Sequence, residues 1–293
     1  MPKILAPYKG RLTVIALALL GGLSLAVLAM WAPKAGQARS TLPPVAAAQP
    51  PAPLASLAPN LSDAMHSGRT VEIGVFGDSF GDGIWWALTQ QLRGDTRFRL
   101  HQFSQRSTGF AGWADMAGDF RARLDGQPLD AAIISFGVND THEVYVGGHR
   151  AAFLSDEWRE VVGARLASVV GLLRDRGVQI YWIGMPRMRR PEFEAKIRAL
   201  NAFYAARMQA LGVPFIDTVT TTTDGQGRYT DHLVNPDTGQ PILARAGDGV
   251  HMSMNGYRLL TEGLARHFVS RVRAAQAEAS RQAAAQARPA NAG

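Results

Sequence analysis

Between residues 71 and 217 the chain alternates short apolar runs with helical patterns, and this alternation constrains its fold most. The apolar runs are 71–76 (VEIGVF), 98–103, 131–136 (AAIISF), 178–184 (VQIYWIG) and 213–217 (VPFID). Each is too short for a helix and rich in β-branched or aromatic residues, so each reads as a strand. Residues 157–174 repeat apolar side chains at Val161, Val162, Leu166, Val169, Val170 and Leu173, and 191–211 at Phe193, Ile197, Leu200, Tyr204 and Met208. Both spacings predict helices, with Pro191 suited to a first helical turn. A last helix is expected over 255–273. Strands that alternate with helices pair in parallel and are covered on both faces. The expectation is therefore an α/β, three-layer, flavodoxin-like fold with a parallel sheet of about five strands. Its site should lie at the strands' C-terminal ends.

The flanks differ in composition. Residues 12–31 (LTVIALALLGGLSLAVLAMW) carry no charge and follow Lys3, Lys9 and Arg11. As a helix the run would rise roughly 30 Å, enough to cross a bilayer core, with the basic residues holding the N-terminus inside. It is longer than the roughly 7–15 apolar residues of a signal peptide, although Gly36-Gln37-Ala38 could serve as a cleavage site. An uncleaved signal-anchor is the preferred reading, and export follows either way. The organisation expected is a cytoplasmic N-terminus (1–11), a transmembrane anchor (12–31), a Pro/Ala-rich linker (32–67), a catalytic domain (68–273) and an Ala/Gln-rich tail (274–293), helical or disordered.

The chain has no cysteine, which excludes disulfides, thiol nucleophiles and cysteine metal sites. Its net charge of +7 is spread along the sequence without a basic-aromatic module, so nucleic acid is not an expected partner. Anionic lipid or cell-wall polymer suits that charge better.

The stretch 77–83, GDSFGDG, follows the first strand. As a dinucleotide loop it fails, because Trp86 stands where the third glycine belongs. It lacks the Gly-Lys-Ser/Thr of a Walker A loop. As a calcium loop it fails at Thr89, the twelfth position from Asp78, where an acidic residue should close it. It matches Gly-x-Ser-x-Gly, but an α/β-hydrolase elbow needs earlier strands to supply an oxyanion donor, and none precedes residue 71.

With Gly77-Asp78-Ser79 after the first strand, Gly137-Val138-Asn139-Asp140 after the third and Asp248-Gly249-Val250-His251 near the end, the sequence resembles the SGNH (GDSL-type) hydrolases. The likeness spans residues of about 70 to 270. Strings such as WIGMPRMR, LNAFY and DGVHMSMNGY look like a bacterial exported branch of the superfamily. The second block of that family offers one glycine in the loop after the second strand, either Gly109 or Gly112, with Gly109 the assignment made here.

Ser79 needs a base to act as nucleophile, and His251 is the best placed, with Asp248 three residues earlier to orient its ring. His142 is the rival base, but it has no comparably spaced carboxylate downstream and reads as a pocket-rim or surface residue. The resemblance implies an oxyanion hole made by the backbone N–H groups of Ser79 and Gly109 and the side-chain amide of Asn139. Glycine suits that loop because a missing side chain would let substrate approach the amide. Asp78 is expected to shape the turn.

Trp85 and Trp113 are candidate sugar-stacking residues, although core packing is the commoner use of such aromatics. Arg187 and Arg245 could hold an anionic group or simply lie in loops. The function so implied is an exported serine esterase acting on an acyl ester, an O-acetyl group on a cell-envelope glycan or a related small ester. It would be anchored in the bacterial inner membrane, face the periplasm and need no metal or organic cofactor. The rival readings are an O-acetyltransferase with the same triad, a metal-dependent phosphoesterase using Asp78, Asn139, Asp140 and His251, and a non-catalytic glycan-binding scaffold.

Overall fold

Five parallel strands carry the alternation: β1 (Val71–Gly77), β2 (Phe98–Gln102), β3 (Ala131–Ser135), β6 (Gln179–Ile183) and β7 (Phe215–Ile216). They appear in a computed structural model that describes residues 57–286. The expected N-terminus, anchor, most of the linker and residues 287–293 lie outside the described residues. Among the described residues no helix is long and apolar enough to cross a membrane.

The sheet order is β2-β1-β3-β6-β7, all pairs parallel. This is the expected flavodoxin-like arrangement. Every residue of β1, β3 and β6 is buried, as central strands require, while the edge strands β2 and β7 are only partly covered. Because side chains alternate along a strand, Val71, Ile73 and Val75 of β1 face one core and Phe76 the other. The first core is packed by α1 (Pro59–Ser67), α2 (Ser79–Gln91) and α7 (Met254–Gln286). The second is packed by α3 (Met116–Arg123), α4 (Asp156–Asp175) and most of the buried face of α5 (Pro191–Ala210). A short helix, α6 (Val219–Thr222), follows β7.

Several features depart from the sequence expectation. Within the supposed linker, α1 buries Leu61, Ala64 and Met65. Asn60 Nδ2 also donates to the carbonyls of Leu129 and Arg176, at 2.9 and 2.8 Å. The folded domain therefore begins before residue 68. At the other end, by contrast, α7 runs on to Gln286, so residues 274–286 take the helical alternative expected for the tail, in a stretch of Ala, Gln and Arg that favours helix. Two antiparallel hairpins interrupt the alternation: β4 (Val144–Val146) with β5 (His149–Ala151), and β8 (His232–Val234) with β9 (Pro241–Leu243).

From β1 the chain moves outward to β2 and then returns across to β3. Ligands of open α/β sheets bind at such a reversal, and the loops after β1 and β3 carry the first and third sequence blocks.

Candidate active site

Ser79 is the first residue of α2, delivered directly by the end of β1. Asp78 caps the helix: its Oδ1 accepts from the Phe80 amide at 2.8 Å, and its Oδ2 accepts from Asn139 Nδ2 at 3.1 Å. Asp78 thus fixes the turn and ties the first block to the third. Burial pushes its carboxyl up to about 7, against the lowering effect of the Phe80 N–H, with the nearby Asp140 charge adding to the rise.

The turn leaves no space for side chains. A Cβ on Gly77 would stand 2.8 Å from Gly81 Cα, and one on Gly83 would overlap the ring of Tyr257. Gly81 and Gly83 therefore serve close packing of α2.

The loop between β9 and α7 brings His251 to Ser79. His251 Nε2 lies 2.7 Å from Ser79 Oγ, and Nδ1 lies 2.6 Å from Asp248 Oδ2. The other oxygen of Asp248 accepts from the amides of Val250 and His251 at 2.8 and 2.9 Å. These donors outweigh partial burial and hold the Asp248 carboxyl down at about 2. An ionised carboxylate only accepts, so Nδ1 carries the imidazole proton and Nε2 is left to accept from the serine hydroxyl. The Phe80 ring stacks on the imidazole at 5.5 Å, fixing its plane.

Two arginines brace this loop. Arg245 is 1% exposed; its Nη2 donates to the Arg187 carbonyl at 2.5 Å and the Val250 carbonyl at 3.1 Å. Its guanidinium lies 4.8 Å from the Tyr229 ring centroid. Arg189 donates through its amide to the Gly249 carbonyl at 3.0 Å and through Nη1 to the Gly247 carbonyl at 2.9 Å. Gly249, at φ +71, allows this approach, since a Cβ there would stand 2.6 Å from Arg189 Cβ. Arg245 is thus not available to substrate. Arg187 pairs with Glu194 at 2.7 Å and is engaged as well.

Asn139 lies in a 3-10 turn, Val138–Asp140, beyond β3. Its neighbour Asp140 is fully buried and accepts from the Ala111 amide at 2.7 Å and the Tyr204 hydroxyl at 2.6 Å. Burial pushes the Asp140 carboxyl up to about 6 against the Tyr204 and Ala111 donors.

Gly109 abuts this carboxylate, and a Cβ on it would stand 2.9 Å from Asp140 Cγ. Asp140 by itself therefore requires a glycine here, a constraint beside the substrate approach that the sequence reading invoked. Gly112 has open space where its Cβ would be. Gly109, Gly112, Asn139, Trp113 and His142 line one cleft of about 440 Å³ with Gln105, Ser107, Thr108 and Val138. His142 is exposed there, its Nδ1 2.7 Å from the Glu143 carbonyl and away from Ser79. Trp85 belongs elsewhere: it packs against the core around α2 and α7. A larger cavity, about 860 Å³, lies between α7, the end of α2 and the β8–β9 hairpin and contains none of the candidate residues.

The side chains a metal reading would need are engaged with protein donors and acceptors, as described for Asp78, Asn139, Asp140 and His251. Among the described residues no group of three or more His, Asp or Glu side chains is clustered to hold a metal ion. Sequence reasoning missed Asp140, Tyr204, Arg189 and the bracing role of Arg245. Only Asp140 carried any signal, as the last residue of the third block.

This strand order, with a serine beyond β1 held to a histidine–aspartate pair before the last helix, is the arrangement of the SGNH-hydrolase fold. The chain belongs to the DUF459 family, described as a protein of unknown function, whose model matches residues 72–267. No curated protein matches it.

Among solved structures it is similar to a GDSL-like lipase from Bacteroides thetaiotaomicron, at 16% identity over 68% of this chain and 88% of that one, TM-score 0.48. It is similar also to an acetylxylan esterase from Geobacillus stearothermophilus, at 16% identity over 68% and 94%, TM-score 0.46. A third is the periplasmic domain of a lipopolysaccharide acetyltransferase from Salmonella ser. Paratyphi A, at 11% identity over 72% and 88%, TM-score 0.49.

Proposed function

We propose that the protein is a serine esterase that removes short acyl groups, chiefly O-acetyl, from a cell-envelope glycan. The observation that carries this reading is the unbroken chain Ser79 Oγ–His251 Nε2 at 2.7 Å and His251 Nδ1–Asp248 Oδ2 at 2.6 Å. In it, Ser79 Oγ attacks the ester carbonyl carbon as its proton passes to His251 Nε2. The oxyanion that forms is met by the Ser79 and Gly109 amides and the second N–H of the Asn139 side chain. Collapse breaks the ester C–O bond, and His251 returns the proton to the leaving alcohol. Water then attacks the acyl-enzyme with His251 again as base, releasing the acid and restoring Ser79.

The half-open triad supports water rather than a sugar hydroxyl as the second acceptor, with His251 and Asp248 side chains 35% and 48% exposed. Placement in the bacterial inner membrane, catalytic domain in the periplasm, rests on the uncharged run 12–31 behind Lys3, Lys9 and Arg11. The test is acetate release from an O-acetylated glycan by the full chain, with and without added unacetylated glycan. Release lost in Ser79→Ala supports the proposal. Acetyl transfer greatly exceeding release would make the protein an O-acetyltransferase instead.

A further inference from the structure

The 440 Å³ cleft beside Asn139 and Gly109 has a lining that selects a ligand class. It shares those two residues with the proposed oxyanion hole, so whatever fills it sits next to the ester being cleaved. Its remaining polar groups come from Gln105, Ser107, Thr108 and His142, and its one aromatic from Trp113. Among the described residues no Lys, Arg, Asp or Glu side chain lines it. A phosphate or uronate would therefore find no counter-charge. Arg187 and Arg245, the cations nearest in the sequence argument, are engaged with Glu194 and with loop carbonyls. A long acyl chain would find only Trp113 and Val138 as apolar walls, too little surface to repay leaving water.

One indole amid hydroxyl, amide and imidazole groups suits a ring that is apolar on its C–H face and polar at its edge. Trp113 lines the cleft while partly exposed, and it packs against the core with its ring in a T-shaped arrangement with Phe120 at 5.8 Å. Ser107 adds a second sign. It holds φ +59, a conformation non-glycine side chains rarely adopt, in the loop that borders the cleft. Such strain clusters at ligand-contacting positions.

We propose that this cleft is a subsite for a neutral sugar ring, stacked on Trp113 and hydrogen-bonded by Gln105, Ser107, Thr108 and His142. The proposal rests on the esterase reading for its orientation toward Ser79, but not for binding itself.

Two esters separate the subsite from the chemistry: methyl 6-O-acetyl-β-D-glucopyranoside, which carries the ring, and 4-nitrophenyl acetate, which does not. In the full chain the ratio of their kcat/KM values should fall about tenfold in Trp113→Ala, with the loss in KM for the sugar ester. Trp113→Phe, which keeps an aromatic face, should recover part of it. An unchanged ratio in a folded Trp113→Ala variant would overturn the subsite, as would a wild-type preference for 4-nitrophenyl octanoate over 4-nitrophenyl acetate. If neither acetate is turned over, the esterase reading fails, and calorimetry of cellotetraose with the Ser79→Ala chain decides the subsite alone. Binding weakened about tenfold by Trp113→Ala supports it, and binding that is absent or indifferent to Trp113 overturns it.

Discussion

Gly109→Ala tests the coupling between the oxyanion loop and the buried carboxylate beneath it. The added Cβ would stand 2.9 Å from Asp140 Cγ, whereas carbon atoms pack at about 3.5–4.0 Å. Either the carboxylate or the loop must therefore retreat by roughly 1 Å. Asp140 is fully buried and held by Ala111 N–H at 2.7 Å and Tyr204 O–H at 2.6 Å. A retreat of that size takes the first bond beyond the range of about 2.7–3.2 Å for N–H···O. Losing a hydrogen bond to a charged group costs about 1.5–3 kcal/mol of stability. If the loop yields instead, its amide leaves the oxyanion position and kcat falls about 100-fold.

The assay is a double-mutant cycle with Asp140→Ala, read by urea unfolding and by kcat on 4-nitrophenyl acetate. Asp140→Ala removes the overlapping atoms, so Gly109→Ala should cost about 1.5–3 kcal/mol more in the wild-type background than in the Asp140→Ala one. Gly112→Ala, with open space around its Cβ, is the neutral control. Equal costs of Gly109→Ala in both backgrounds would refute the steric argument. Undiminished kcat in Gly109→Ala would remove its amide from the oxyanion hole.

Three further outcomes follow from the same contacts. Arg245→Lys leaves an ammonium where a fork held two carbonyls. Stability should fall by about 2–4 kcal/mol and kcat by about tenfold, and a folded variant with wild-type kcat would show that the brace does not position His251. Asp140 sits at about 6, above the ordinary carboxylate value of about 3.9, so its stabilising contribution is present below about pH 4 and lost as pH rises through 6. Asp140→Asn should therefore gain about 3 kcal/mol on wild type between pH 4 and pH 7 in urea unfolding. A pH-independent difference would contradict that. Asp248→Asn should lower kcat by about 10⁴ while the protein stays folded, because the amide no longer fixes the imidazole proton on Nδ1. A loss under tenfold would deny Asp248 its role.

Much of this arrangement was legible in the chain because strand burial and motif placement are local signals. The runs at 71–76, 131–136 and 178–184 are apolar but for Glu72, Ser135 and Gln179 because β1, β3 and β6 are covered on both faces. The three sequence blocks fall at their ends or in the last loop. The hairpins β4–β5 and β8–β9 were missed because three-residue strands are too short for a period to register. Helix α1 was hidden by the Pro- and Ala-rich composition around it, and only Leu61, Ala64 and Met65 marked a buried face.

Partnerships across the chain left no local trace. Asp140 meets Tyr204 across 64 residues, and Arg245 grips the Arg187 carbonyl across 58. Nothing near Trp85 or Trp113 in sequence says that both pack against the core while the second also lines a cleft.

The central claim is that Ser79 is a nucleophile activated by His251. Reaction of the folded full chain with a fluorophosphonate, followed by mass spectrometry of the Ser79 peptide, tests it most directly. The account predicts one label per chain on Ser79, none in Ser79→Ala, and labelling slowed by about 10³ or more in His251→Ala. A folded wild-type chain that takes no label, or a Ser79→Ala chain labelled as readily as wild type, would contradict it.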